Sequence, residues 1–106
     1  MDSQFTSSTE PVEFDQGVLR KSVLVLRAIN HDLRQDIIRL LDNKGRLTVT
    51  EIYVNLRLEQ SVASQHLALL RRAGVVTTVR DGKFIYYSVD KERIAQIQGL
   101  LNELVL

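Results

Sequence analysis

Residues 48–89, TVTEIYVNLRLEQSVASQHLALLRRAGVVTTVRDGKFIYYSV, hold the pattern that decides the fold. Thr48 and Glu51 form a Thr-x-x-Glu capping box, which predicts the start of a helix. After a short link at residues 57–59, a second helix is predicted over residues 60–73, with Gly74 as its C-terminal cap. Apolar residues recur at helical spacing in both stretches, at Val49, Ile52, Tyr53 and Leu56 and then at Ala63, Leu67 and Leu70. Two short helices joined so closely predict a helix-turn-helix.

The hydropathy period changes after the second of these helices. Residues 75–80 and 83–89 are rich in β-branched and aromatic side chains, and Asp81 and Gly82 lie between them, which predicts a hairpin turning at these two residues. A hairpin directly after a helix-turn-helix is typical of a winged helix. The two faces of the second strand carry Phe84 with Tyr86 and Ile85 with Tyr87. We expect one pair to pack beneath the wing and the other to be partly exposed.

Three further helices are predicted outside this segment, over residues 16–29, 31–43 and 90–104. The first has two apolar stripes and the last has one. Their members are Leu19, Val23 and Leu26 on one stripe, Val18, Val25 and Ile29 on the other, and Ile94, Ile97, Leu101 and Leu104 on the last helix. One apolar face of the first helix can serve the core of the chain while the other meets a second chain.

Length and composition set outer limits on the function. The 106 residues suffice for one domain, with 44% hydrophobic and 25% charged residues as in an average globular chain. The chain has no cysteine, which excludes disulfides, thiolate metal ligands and thiol nucleophiles. No apolar run approaches a membrane span, and the acidic N-terminus lacks the layout of a signal peptide. We therefore expect a cytoplasmic protein of bacterial type.

Charge is unevenly distributed along the chain. Residues 1–15 carry four acids and no base, and they are polar and aperiodic, which predicts a flexible acidic arm before a domain at residues 16–106. The other 91 residues hold 14 bases against 9 acids, a balance of +5. This excess suits a polyanionic partner, although many solvated surfaces have a similar balance.

The second helix of the motif has a polar face opposite its apolar one. Its members are Gln60, Ser61, Ser64, Gln65, Arg71 and Arg72. Gln can pair with adenine, Ser can reach bases or phosphates, and Arg can neutralise phosphate or read guanine, so the face suits a DNA major groove. The alternative is an ordinary solvated helix face. Arg80 and Lys83 flank the hairpin turn and favour DNA, because they place positive charge at a tip that can reach phosphates.

In their order along the chain, these segments resemble the ArsR/SmtB family of dimeric winged-helix repressors. The resemblance rests on residues 26–29 and 33–41, LRAI and LRQDIIRLL, on residues 61–76, SVASQHLALLRRAGVV, and on residues 80–89, RDGKFIYYSV. It implies a mainly α fold of five helices and a two-stranded β-wing, and a homodimer that binds a pseudo-palindromic DNA operator.

The resemblance also implies which residues act. With three further residues of the same helix, Val62, Arg71 and Arg72, the predicted DNA-binding set is Gln60, Ser61, Val62, Ser64, Gln65, His66, Arg71, Arg72, Arg80 and Lys83. The dimer would form through the first and last helices, at Leu19, Val23, Leu26, Ile97, Leu101 and Leu104. Glu59 and Val62 depart from the family pattern; Glu59 would repel DNA unless it caps the helix, and the methyl groups of Val62 can meet thymine. The operator sequence is therefore not transferable.

The metal-sensing residues of the family are not matched. Members that sense thiophilic metals often carry Cys-x-Cys where this chain has Thr48 and Thr50, and hydroxyls are poor substitutes for thiolates. The other common site uses Asp and His on the last helix, which here has no histidine and retains Asp90 and Glu103 as hard ligands. We expect no metal site of either kind and no cofactor, and the inducer stays open.

The two histidines complete the set of candidate functional residues. His66 is interpreted as a phosphate or structural hydrogen-bonding residue, and His31 as a solvated or capping residue at a helix start. Neither belongs to a recognisable catalytic arrangement, so an enzyme is not expected. Two alternatives to DNA binding alone remain: a winged helix used for protein interaction, and a sensor of a non-thiophilic metal or small ligand at the dimer interface.

Overall fold

A computed structural model describes residues 9–106, and residues 1–8 of the predicted arm lie outside the described part. The elements in chain order are α1 (Gln16–Ile29), α2 (Asp32–Lys44), α3 (Val49–Leu56), α4 (Gln60–Arg72), β1 (Val76–Asp81), β2 (Phe84–Val89) and α5 (Lys91–Val105). The two strands form one antiparallel hairpin. The prediction of five helices with a two-stranded wing is confirmed for the described residues.

Short polar side chains fix where most of the helices begin. The Asp15 carboxylate accepts from the Val18 amide at 3.1 Å at the start of α1, and the His31 ring caps α2 through the Leu33 amide at 3.1 Å. The capping box of α3 is formed as predicted, since the Glu51 amide donates to Thr48 and the Thr48 amide donates to Glu51. Capping by His31 is also confirmed, and α2 starts one residue later than expected because that residue is its cap.

The hairpin turn lies one residue beyond its predicted position. Asp81 pairs with Phe84 in the ladder, so the turn consists of Gly82 and Lys83 rather than Asp81 and Gly82. Gly82 has a φ of 63°, a left-handed value that glycine adopts without the steric cost of a side chain. The correction follows from the ladder, because pairing Asp81 adds one residue to β1.

The core is formed by one face of each helix from α1 to α5 and by the start of the wing. Its largest fully buried side chains are Ile37, Leu41, Ile52, Leu67, Leu70, Val75 and Val76. Gly74, with a φ of 79°, lets the chain turn sharply after α4, and the Val75 amide then donates to the Leu70 carbonyl at 3.2 Å. This tight turn places the wing directly after the helix-turn-helix formed by α3 and α4.

Backbone hydrogen bonds join the wing to the body at Tyr87 of β2. Leu47 and Tyr87 exchange backbone hydrogen bonds of 3.0 and 2.7 Å, and Tyr87 packs against the core. Its predicted face partner Ile85 is exposed, as is Phe84, whereas Tyr86 is half-buried. The expected division into one packed pair and one exposed pair is therefore wrong. The strand extends beyond the core, so distance from the body determines exposure more than the face does.

The residues predicted to form the dimer interface differ in their exposure. Leu19, Val23 and Leu104 are 44%, 38% and 75% exposed. Leu26 and Leu101 are half-buried against the core. Ile97 is only 7% exposed and belongs to the core of the protomer, so its side chain is directed inward rather than toward a second chain.

Arg34 joins three helices through its guanidinium group. Its Nε donates to the Ala28 carbonyl at 2.6 Å and its Nη2 to the Arg27 carbonyl at 3.0 Å, both near the end of α1. Its Nη1 lies 3.1 Å from Nδ1 of His66 in α4. A guanidinium fork can serve several acceptors at once in fixed directions, which the single ammonium group of lysine cannot do.

We expect Arg34→Lys to lower the free energy of unfolding by about 1.5–3 kcal/mol, because hydrogen bonds from a charged donor are lost. The matched control is Arg39→Lys, since Arg39 forms only an exposed ion pair with Asp36, of the kind worth about 0–1 kcal/mol. Urea unfolding at one fixed chain concentration measures both variants. Equal losses in the two would contradict the role given to Arg34.

Candidate nucleic-acid interface

Packing on one side of α4 determines which side chains face outward. Ala63, Leu67 and Leu70 are buried, and at about 100° per residue the opposite side carries Ser61 and Gln65. Both are exposed, as are Ser64 and Gln60. The first turns of α4 therefore present amide and hydroxyl groups to the surroundings, as predicted for a face that meets base edges.

The two arginines at the end of α4 lie well away from this polar group. Arg71 and Arg72 are exposed, and Arg72 is about 16 Å along the axis from Ser61 at about 1.5 Å per residue. Arg72 and Lys21 of α1 line the same cavity. The structure thus divides the predicted set into a polar group at the start of α4 and a cationic pair at its end.

Val62 and His66 lie on the flank between the buried and exposed sides of α4. Both are half-buried. Nδ1 of His66 faces the Arg34 guanidinium, and the His66 and His31 rings have centroids 4.9 Å apart. His66 therefore links α4 to the start of α2, which agrees with its structural interpretation and leaves Nδ1 directed toward the protein rather than toward a phosphate.

The wing presents positive charge at its tip. Arg80 and Lys83 are exposed, and Lys83 lies over the Phe84 ring at 5.4 Å from its centroid. The neighbouring Asp81 accepts from Arg46 at 3.0 Å, so its charge is paired within the protein. Arg46 also lies 4.1 Å from the centroid of the Tyr86 ring, and its two contacts hold the residues next to the wing tip in place.

Four cations of the predicted interface form no ion pair within residues 9–106, namely Arg71, Arg72, Arg80 and Lys83. Glu59 is exposed at the start of α4 and makes no side-chain capping bond. Because the Glu59 side chain does not cap α4, its negative charge would repel DNA. On balance the surface formed by α4 and the wing is positive and suits a polyanion.

Sequence reasoning missed Arg34 and Arg46, which position this surface without belonging to it. The ion pair of Arg46 with Asp81 joins residues 35 positions apart, and the contact of Arg34 with His66 joins residues 32 positions apart. No local pattern predicts either contact. For Arg34 the available signal was a charged residue next to an apolar helical stripe, which is common on any protein surface, and Arg46 lies in the loop between α2 and α3.

Two of the residues at the positions that the resemblance assigns to metal sensing, Thr48 and Asp90, cap helices. The Thr48 hydroxyl caps α3, and Asp90 caps α5 by accepting from the Arg93 amide at 3.0 Å. Within residues 9–106, no group of three His, Cys, Asp or Glu side chains is placed to hold a metal ion. In the same part of the chain, no helix is both long and apolar enough to cross a membrane.

Five helices with a hairpin between the fourth and the fifth define a winged helix-turn-helix protein. The sequence profile described as "Bacterial regulatory protein, arsR family" matches residues 31–78. The chain belongs to this family of transcriptional regulators, and the resemblance noted from its sequence is confirmed.

Three relatives illustrate the similarity. The transcriptional activator HlyU of Vibrio cholerae is 38% identical over 85 residues, which are 79% of this chain and 77% of HlyU. The crystal structure of the transcriptional repressor PagR of Bacillus anthracis is 33% identical with a TM-score of 0.66, covering 82% of this chain and 99% of PagR. A homodimeric winged helix-turn-helix DNA-binding domain from Mycobacterium bovis, at 23% identity and a TM-score of 0.71, covers 92% of this chain and 90% of its own and shows the shared fold.

Burial lowers the pKa of His66 from its ordinary value of 6.5, and the nearby His31 and Arg34 lower it further because they disfavour a second positive charge. The folded chain therefore binds this proton less readily than the unfolded chain. The resulting stability is fully present above about pH 6.5 and is lost as the pH falls toward the lowered pKa.

We expect the melting temperature to fall between about pH 7.5 and pH 5.5, and His66→Gln to make this fall shallower, since glutamine keeps an acceptor for Arg34 but does not titrate. Thermal unfolding of both chains across this range measures the difference. The other titrating groups are common to the two chains and cancel in the comparison. An identical pH dependence would contradict the role of His66.

Proposed function

We propose that two copies of this chain bind a pseudo-palindromic DNA operator and repress transcription by occupying it. Each copy inserts the first turns of α4 into a major groove, and successive grooves on one side of the duplex lie about 34–36 Å apart. The function is one of binding, with no chemical step, and its place is the cytoplasm.

The observation that carries the proposal is the outward face of α4. Gln60, Ser61, Ser64 and Gln65 are exposed without side-chain partners within residues 9–106, although the helix is firmly packed on its other side. A rigid helix with free amide and hydroxyl groups is suited to reading base edges. The wing adds Arg80 and Lys83, whose unpaired charges suit phosphates and supply affinity that depends on salt.

The homodimer is supported by exposed apolar side chains on two helices. Apolar stripes on α1 and α5 carry Leu19, Val23 and Leu104. All three side chains are exposed in the protomer, so contacts within one chain do not explain why these positions are apolar. The Mycobacterium bovis relative of the same fold is described as homodimeric. A two-fold pair of chains would explain both the exposed stripes and the recognition of an operator with matching half-sites.

Repression by occupancy requires an operator that overlaps the promoter, because a dimer on two successive grooves then covers DNA that polymerase must reach. PagR is named a repressor and HlyU an activator, so family members include both. A promoter reporter carrying the operator measures the direction, and a fall in transcription on expression of the chain is expected. A rise would replace repression by activation and would leave the DNA-binding face unchanged.

We expect Gln65→Ala and Lys83→Ala to affect DNA binding in different ways. Loss of a base-reading amide changes the preference among bases at one position by about 1–3 kcal/mol. Loss of one phosphate contact weakens binding to all sequences similarly and lowers the logarithmic salt slope by about one. Shift assays on operators selected from random DNA, repeated across salt concentrations, separate these effects.

The matched control for Lys83→Ala is Lys91→Ala, because Lys91 is exposed, pairs with Asp42 at 3.1 Å and lies outside α4 and the wing. It should leave binding and salt slope nearly unchanged. If neither Gln65→Ala nor Lys83→Ala altered binding, the DNA face would be wrongly assigned. If wild-type binding showed no salt dependence, the protein-interaction alternative would replace DNA binding.

The proposed dimer predicts that a Leu19→Glu and Val23→Glu double variant is monomeric and loses operator affinity, because charges would be buried at the contact. Val54→Glu is the control, since Val54 is an exposed apolar residue of α3 outside the predicted interface. Analytical ultracentrifugation gives the mass, and circular dichroism shows whether each variant is folded. A wild-type chain that binds the operator as a monomer would contradict the dimer.

A further inference from the structure

A cavity of about 560 Å³ lies between α1, the end of α4 and α5. Its apolar lining comes from Leu24, Val25 and Ala28 of α1 and from Leu69 and Ala73 at the end of α4. The volume lies within the range of about 300–1,000 Å³ that is common for small-molecule sites. The cavity therefore has the size and the apolar wall of a ligand pocket.

The charged residues that line this cavity are all positive. They are Lys21, Arg27, Arg34, Arg72 and Arg93, and no acidic residue is among them. Arg34 and Arg93 donate to backbone carbonyls, in the case of Arg93 to Ala73 at 3.4 Å. The side chains of Lys21, Arg27 and Arg72 form no hydrogen bond or ion pair within residues 9–106. Three cations at one cavity repel each other unless an anion joins them.

The cavity is separate from the proposed dimer contact. None of the six predicted interface residues lines it. On α1, Lys21, Leu24 and Ala28 follow one another at i, i+3 and i+7 and share one flank. Leu19, Val23 and Leu26 form a second stripe, rotated by about 180° at 100° per residue. A second copy seated on that stripe would leave the cavity accessible.

We propose that this cavity binds a small amphiphilic organic anion, with a carboxylate or phosphate head and an aliphatic body. The head would meet Lys21, Arg27 and Arg72, and the body would lie against Leu24, Ala28 and Leu69. Charge complementarity selects an anion, and the apolar wall selects one that carries hydrocarbon rather than a bare inorganic ion.

A ligand in the cavity would affect the proposed DNA-binding surface by contacting α4. Leu69, Arg72 and Ala73 belong to the end of that helix or its cap, so a ligand that contacts them favours one position of the helix over others. This coupling rests on the proposed DNA-binding function, whereas binding of the anion does not. The cavity would then be the site at which a signal alters operator affinity.

Decanoate is the probe, because it joins one carboxylate to a nine-carbon chain. Calorimetry and amide NMR on the full chain should show one saturable site with shifts at Lys21, Leu24 and Leu69. Decanol, which has the chain without the charge, and inorganic phosphate, which has the charge without the chain, should bind much more weakly. Equal binding of decanol, or of phosphate, would overturn the proposal of an amphiphilic anion.

The location is tested with a Lys21→Glu and Arg27→Glu double variant. Decanoate affinity should fall at least about tenfold, because two attractions become repulsions. Arg20→Glu is the matched control, since Arg20 lies on the same helix but does not line the cavity, and affinity should remain near that of the wild type. A folded double variant with wild-type decanoate affinity would overturn the site.

Two further measurements separate the source of the anion from its effect. Flotation with phosphatidylglycerol vesicles should recover no protein, and strong recovery would mean that the cations meet a lipid surface instead. Operator affinity should change severalfold with saturating decanoate in the wild type and much less in the double variant. Unchanged operator affinity with decanoate bound would overturn the coupling alone, and a chain that binds decanoate but no DNA would contradict only the proposed function.

Discussion

Burial of Leu67 and Leu70 fixes how α4 is rotated about its own axis, and the rest of the candidate interface depends on that rotation. These side chains fill the core together with Ile37 and Ile52, so a turn of α4 would expose apolar surface at a cost of about 1.5–3 kcal/mol for each residue. The hydrogen bond of Arg34 with His66 acts in the same direction from the flank of the helix. The polar side therefore faces outward because the apolar side has no comparable alternative.

The wing has a base that is bound to the body and a tip that is exposed. The backbone bonds of Leu47 with Tyr87 hold its base, and Arg46 neutralises Asp81 while contacting the Tyr86 ring. Without Arg46, the acid beside the turn would offset part of the positive charge of Lys83 and Arg80. Arg46 thus affects the net charge of the wing tip, although Arg46 does not belong to the proposed DNA-binding surface.

Local features of this fold could be predicted from the sequence, because their causes lie within a few residues. Helical spacing and the capping box of Thr48 with Glu51 need only one turn of chain, and both appear in the structure. The turn was misplaced by one residue because pairing of Asp81 with Phe84 depends on the whole ladder. Ile97 shares a stripe with Leu104, and only tertiary packing distinguishes the buried residue from the exposed one. The bonds of Arg34 and the cavity join distant segments, which no periodicity reveals.

Thr48, at a position where the family resemblance implies a cysteine ligand, has a structural role at the start of α3. The Thr48 hydroxyl accepts from the Glu51 amide, so this position contributes to the stability of α3. The cavity reaches the end of α4, where the helix dipole stabilises Arg71 and Arg72 even without a bound anion. Arg27, in the last turn of α1, is stabilised in the same way, whereas Lys21 lies nearer the middle of that helix. The two helices are therefore stable without an anion, although their positive charges at the cavity attract one.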